Sequence, residues 1–291
     1  MSLVIALLAA HLLALLFGLG GLLIILPNPS LWVGNPLAAP VFAFGMQYAG
    51  ALHIVLGALA MIACGVFLLG WKRTLIFFAI STTFSVSMEL LGTGTGWPFG
   101  AYEYTEGLGA KIGGRVPYTI PLSWFTMGLA SYLLALGAVR HLGRRARTWH
   151  ALALGVWLLT VWDLVLDPAM AHESLPMKFW TWHQTGPYFG MPIQNFIGWA
   201  GTGLLFMAVS HWLWRSVPAL TPTDMRVPFI VYAANILFAV GLSLSVGLWE
   251  PCVLAGVLGV LPAALALWQR PRGARSTERS NEAPGWQESR A

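Results

Sequence analysis

Charge is scarce in this chain. Only 9% of its 291 residues are Asp, Glu, Lys or Arg, while 57% are hydrophobic, against about 25% and 45–50% in ordinary soluble domains. That balance excludes a soluble enzyme. Cysteine is rarer still: Cys64 and Cys252 are the only two, each inside an apolar run with no CxxC and no neighbouring His, which argues against a disulfide framework and a cysteine zinc site. The seven histidines form no HxxxH or HExxH pattern, so a metal held through His has no support. A phosphate-binding loop is lacking as well. Gly92-Thr93-Gly94-Thr95-Gly96-Trp97 has the glycines but neither a preceding strand nor a following Lys-Ser/Thr, and its glycines are read as a tight turn.

The net charge of +5 does not describe a nucleic-acid binder, because five of the sixteen basic residues (Arg270, Arg272, Arg275, Arg279, Arg290) fall near the C-terminus and the others flank apolar segments. What the chain has in abundance is long uncharged runs. A membrane span needs ~20 mostly apolar residues, and eight stretches meet or approach that length: about 2–26, 41–71, 74–92, 119–139, 149–168, 193–214, 227–249 and 251–268. The fold class expected is all-α, a polytopic transmembrane helical bundle. Trp249-Glu250-Pro251 is a tight break, which leaves seven spans plus a re-entrant piece as the alternative. The first run has no basic leader and exceeds the roughly 7–15-residue core of a signal peptide, so it is read as a retained helix.

Basic residues mark cytoplasmic loops. Thirteen of them lie after even-numbered spans or in the C-terminal tail, whereas Lys111, Arg115 and Lys178 alone lie on the other side. A multi-pass cell-membrane protein with both termini cytoplasmic is expected. Residues 269–291 carry Pro, Gly, Ser and mixed charge without an apolar period, so residues 1–268 are expected to form one helical domain followed by a disordered cytoplasmic tail. The acidic residues cluster at the non-cytoplasmic helix ends. There the long connections 93–118 and 169–192 are too rich in Trp, Tyr and Phe to be solvated loops. They are expected to fold back as a lid, since irregular backbone at membrane depth is tolerated where it is buried in protein or lines a cavity.

Ionisable groups inside spans are costly and face a bundle interior or a functional cavity. Asp163 and Asp167 are spaced i,i+4, one turn apart on a single helix face. Two carboxyls that close in a dry site do not readily both ionise, which leaves one as a neutral acid. The alternative for Asp167 is a helix end before Pro168, or a pair with Lys178 or Arg115. Glu89, closing the third span, and Glu103, between Tyr102 and Tyr104, complete the candidate catalytic set; their alternatives are a carboxylate reaching to water and a lid residue paired with Arg115. Asn195, at the head of the sixth span, is either a helix cap or a water-positioning amide. Trp97, Tyr102, Tyr104, Trp124, Trp162 and Tyr188 are the candidate substrate-binding aromatics, together with Asn195. Their mundane use is interfacial anchoring, but beside carboxylates their faces also suit a cationic intermediate. His11 and His53 read as satisfied core groups, and His183 as a candidate proton relay beside the lid.

Several phrases together resemble one family: Glu89-Leu-Leu-Gly-Thr, then Gly96-Trp-Pro-Phe-Gly-Ala-Tyr-Glu-Tyr-Thr105, Gly113-Gly-Arg-Val-Pro117, Pro121-Leu-Ser-Trp-Phe125, Asp163-Leu-Val-Leu-Asp-Pro168 and Gly186-Pro-Tyr-Phe-Gly-Met-Pro-Ile-Gln-Asn-Phe-Ile-Gly-Trp199. They are similar to the integral-membrane carotenoid 1′,2′-hydratases of the CruF type, including hydratases of the bacterioruberin pathway. The resemblance covers about residues 85–200; the first two and last two spans resemble nothing specific. It implies hydration of the terminal C1′=C2′ bond of an acyclic ψ end group, as in γ-carotene or lycopene derivatives, with a carotenoid taken from the bilayer, no cofactor and no metal. Membrane lipid and other carotenoid-biosynthesis enzymes are the remaining partners it implies. Two other readings stay open. Asp163-x-x-x-Asp167 has the spacing with which a membrane prenyltransferase holds magnesium and diphosphate, and a non-enzymatic carotenoid or lipid carrier would use the same aromatic wall without chemistry.

Overall fold

The computed structural model describes residues 1–268. The polar tail expected over 269–291 lies outside the described residues. Every long uncharged run becomes a helix, since in hydrocarbon only a helix satisfies all its backbone groups within one segment. In chain order these are α1 (Ser2–Gly20, continued by a π-helical turn at Gly21–Ile25), α2 (Ala38–Leu69) and α3 (Trp71–Thr95). Then follow α4 (Thr119–Ala138), α5 (Arg144–Met170), α6 (Ile193–Trp214) and α7 (Arg226–Ser245). The last run is α8 (Glu250–Ala255), a second π-helical turn (Gly256–Val260) and α9 (Leu261–Trp268). Eight of these stretches are long and apolar enough to cross a membrane, including Glu250–Leu267 as the eighth. The fold is thus an all-α polytopic bundle, and the break before Pro251 separates two full spans.

Two helix ends depart from the sequence reading. Asp167 does not end α5: the helix runs through Pro168 to Met170. Nor is the glycine-rich segment a turn from its start, since Gly92 to Thr95 continue α3, and the chain turns only at Gly96, whose left-handed φ of +79° suits a residue without a Cβ.

α4 is the axis of the bundle. All of its residues except Leu122 and Ser123 are buried, and it packs against α2, α3, α5, α7 and α9, as a helix apolar on every face must. Small residues allow the approach: a Cβ on Gly128 would sit 2.7 Å from the Phe206 ring, and one on Gly155 would sit 3.1 Å from Tyr132. The joint between α2 and α3 is the single residue Gly70, at φ +85°.

Consecutive spans alternate in direction, so the C-terminal ends of α3 and α5 and the N-terminal ends of α4 and α6 share one face of the bundle. The two long connections meet there. β1 (Tyr102–Tyr104) pairs antiparallel with β4 (Trp180–Trp182), in the register Tyr102 with Trp182, Glu103 with Thr181 and Tyr104 with Trp180. Flanking bonds extend the ladder, Thr105 N–H to Phe179 O at 3.0 Å and His183 N–H to Ala101 O at 2.8 Å. A small hairpin, β2 (Lys111–Ile112) and β3 (Val116–Pro117), turns at Gly113 and Gly114 between β1 and α4.

Candidate active site

Strand geometry decides which groups of β1 reach the bundle. Successive side chains of a strand point to opposite faces, and here Tyr102 and Tyr104 are buried while Glu103 is exposed. Both phenols reach Glu89, near the end of α3 and only 3% exposed. Tyr102 donates to Glu89 Oε2, Tyr104 donates to the same oxygen at 2.9 Å, and Trp124 Nε1–H of α4 donates to Oε1 at 2.9 Å. Three donors from two elements therefore clamp one carboxyl. Burial, reinforced by the Glu89 charge, pushes both phenols well above the ordinary tyrosine value, so they remain donors. Gly92, one turn beyond Glu89, leaves the room: a Cβ there would lie 2.7 Å from Phe99 and 3.3 Å from the Tyr102 hydroxyl.

The second group is built by α5 and α6. Asp163 and Asp167 are 1% and 5% exposed. The amide of Asn195 donates to Asp163 Oδ2 at 2.8 Å and to Asp167 Oδ2 at 2.7 Å, with Met191 Sδ also 3.1 Å away. One nitrogen thus ties the two carboxyls together, their nearest oxygens no farther apart than two hydrogen bonds laid end to end. Asn195 does not cap α6, whose N-cap is Pro192. The Trp180 indole lies beside Asp167, yet the indole N–H groups of Trp162, Trp180 and Trp182 make no hydrogen bond to the described residues.

Glu89, Asp163, Asp167 and Asn195 all line one cavity of about 620 Å³. Its walls are aromatic. Trp124 stacks on Trp199 at 3.8 Å between centroids, and Trp162 meets Trp199 edge-on at 5.6 Å. Tyr102 and Tyr104 face Trp182 and Trp180 across the β1–β4 ladder at 5.2 and 6.0 Å. Among the described residues no Lys or Arg lines the cavity, and no three His, Cys, Asp or Glu side chains are grouped as metal ligands.

Three residues expected in the site lie elsewhere. Glu103 points outward with its side chain 68% exposed, 3.7 Å from His183 Nε2; alternation along β1 turns it away from the cavity that its two tyrosine neighbours line. Its partner is His183 rather than Arg115. Trp97 is 58% exposed, just past the end of α3. Tyr188 is half-buried outside the cavity, donating to Leu164 O at 3.1 Å, and burial pushes its phenol up to about 12. Conversely, Trp199, Trp180, Trp182, Phe99 and Phe179 line the cavity without having been singled out as site residues. Trp199 follows Asn195 by four residues, so helical spacing alone would have put both on one face.

A further polar group touches the cavity from α1, α2 and α7. Asn235 donates to His11 Nε2 at 3.2 Å, His11 Nδ1–H donates to His53 O at 2.8 Å, and His53 Nδ1–H donates to Ala49 O at 3.1 Å. His11 is fully satisfied core; His53 and Asn235 line the cavity.

Comparison with known proteins identifies the family. Residues 49–262 match the family model described as carotenoid biosynthesis protein. Bisanhydrobacterioruberin hydratase of Haloarcula japonica is 30% identical over 251 residues, covering 84% of this chain and 80% of that protein. No solved structure matches. On both counts the chain belongs to the carotenoid biosynthesis protein family, the family of membrane hydratases that its own phrases resemble.

Proposed function

We propose that the protein adds water across the terminal C1′=C2′ double bond of an acyclic ψ end group, giving a tertiary alcohol. The observation that carries this reading is the Asp163–Asn195–Asp167 bridge inside an aromatic cavity that no Lys or Arg among the described residues lines. A carbon–carbon double bond is a poor base, so its protonation needs a strong acid shielded from water. The carboxyl pair holds that proton: one member is neutral and delivers it to C2′, which leaves a tertiary cation at C1′. The faces of Trp124, Trp162 and Trp199 stabilise the cation, and Glu89, fixed by its three donors, places a negative charge on the same chamber. Water then attacks C1′, and its surplus proton passes to the carboxylate left by the first step. Atoms balance as alkene plus water to alcohol, and no electrons leave the substrate.

The prenyltransferase alternative has less to stand on. A diphosphate needs cationic partners, and no Lys or Arg among the described residues lines the chamber. Turnover with lycopene or γ-carotene in D₂O should place one non-exchangeable deuterium at C2′, and turnover in H₂¹⁸O should label the new hydroxyl. Oxygen drawn from O₂, or a requirement for a reductant, would make the protein an oxygenase and end this reading. Polyene retained without any alcohol would make it a carrier.

A further inference from the structure

The cavity does not stop at the carboxyls. It continues between α1 and α2, where Leu16 to Leu26, the connection through Trp32 and Leu37, and Ala38 to Gly50 supply its walls. This arm differs in kind from the chamber. Apart from the Trp32 indole, its one polar side chain over residues 16–50 is Asn35, which is already occupied, accepting from the backbone N–H groups of Leu37 and Ala38 at 2.9 and 3.2 Å. Small residues hollow it out: Gly20 and Gly21 have no atom within 4 Å of where a Cβ would stand, and Gly45 meets only the Phe17 ring, at 3.5 Å. Trp32 stacks flat on Phe42 at 3.7 Å, forming a slab along one side. The outer rim is apolar and uncovered, with Ile24 at 58%, Val41 at 56% and Leu37 at 84% exposure. In a bilayer such a rim faces lipid.

We propose that this arm binds the polyene chain and is open to the bilayer, so that the enzyme takes its substrate sideways from the membrane, one end at a time. The proposal rests on the hydratase reading for the identity of the polyene. The rim supports the open end. The arm leaves the protein between uncovered apolar residues, Leu37 at 84% exposure among them, so the rod of a polyene can run from the chamber through the arm into lipid. With one end group in the chamber, the far end stays in lipid. A substrate with two reactive ends cannot turn around inside, so it must leave and re-enter reversed before the second hydration.

The test uses purified full-length protein with two probes: lycopene, which has two ψ ends, and 2,6-dimethyloct-2-ene, a short alkene with the same terminal group. Gly45→Phe fills the arm and Ala38→Trp obstructs its rim, while Leu59→Phe adds bulk on the lipid-facing side of α2, where Leu59 is 44% exposed. Bound lycopene per protein and products from both probes are measured. Both arm variants should hold at least tenfold less lycopene and shift preference toward the short alkene by at least tenfold, with Leu59→Phe resembling the unaltered protein. Singly hydrated lycopene should accumulate free before the doubly hydrated product. Lycopene binding unchanged in both arm variants, or doubly hydrated product without a free intermediate, would overturn the proposal. Arm-dependent lycopene binding without alcohol from either probe would instead defeat the hydratase reading and leave the arm standing.

Discussion

Replacing Asp163 or Asp167 by Asn separates the chemistry of the carboxyl pair from its architecture. Asn matches Asp in size and keeps a carbonyl oxygen, so the Asn195 amide, which donates 2.8 and 2.7 Å bonds to the two side chains, still has an acceptor at each position. Hydrogen bonds of this kind contribute about 0.5–1.5 kcal/mol each when neutral and 1.5–3 when one partner is charged, so each variant alters stability by about 1–2 kcal/mol, less than the typical 5–15 kcal/mol total of a domain. What is lost is the proton. Positioned proton transfer contributes ~10²–10⁴ in rate, or about 3–5 kcal/mol on the barrier, and an alkene is a worse base than the substrates on which that range rests. Each single variant should therefore fall at least a hundredfold in hydration of lycopene, measured as alcohol per protein in detergent, while elution volume and thermal midpoint stay close to those of the parent. Because the two aspartates act as one unit, the double variant should lose no more than the worse single one. A single variant retaining a tenth or more of the activity, with unchanged folding, would show that the pair is not the acid.

Removing one donor from Glu89, as in Tyr104→Phe or Trp124→Phe, takes away a charge-assisted bond of about 1.5–3 kcal/mol; turnover should fall about tenfold or more, and turnover at the parental level in both variants would leave Glu89 without a role in the reaction. Glu103→Gln should leave turnover within twofold, because that carboxyl faces outward; a large loss would return it to the site. In a background where Cys64 and Cys252 are replaced, single cysteines at Thr148 and Gly107 should react with a membrane-impermeant thiol reagent from opposite sides, with Thr148 cytoplasmic. Reaction of both from one side would refute the orientation read from the basic residues.

The spans and the Asp163–Asp167 face were legible because both rest on local periodicity: uncharged runs for the helices, and an i,i+4 spacing for the pair. Glu103 is a different case: its place between Tyr102 and Tyr104 suggests a shared site, whereas the three residues form a strand and alternate in direction. The pairing partner that makes them a strand lies at Trp180–Trp182, a relation no local pattern reveals. Trp199 was within reach through its spacing from Asn195. The arm between α1 and α2 was not, since Leu, Phe and Gly facing a polyene have the same character as Leu, Phe and Gly facing lipid tails. Asn195 was recognised as one of two alternatives, a cap or a positioning amide; its bond to both aspartates needed the relative placement of α5 and α6.

The pairing of β1 with β4 also sets the order in which the chamber can be assembled during synthesis. Tyr102 and Tyr104 are made with the third and fourth spans, but the strand that covers them emerges only after the fifth span has been threaded into the membrane. Until then a growing chain carries an uncovered strand edge next to a buried carboxyl, the kind of surface that invites pairing with another chain. The loop entropy of the late closure rises only slowly with the length between the strands, so delay adds little to the equilibrium penalty. It does, however, create a window during translation. A chain that has not yet reached Trp180 lacks the strand that pairs with Tyr102–Tyr104, so the cover over the two phenols is completed late, by a segment made after five spans.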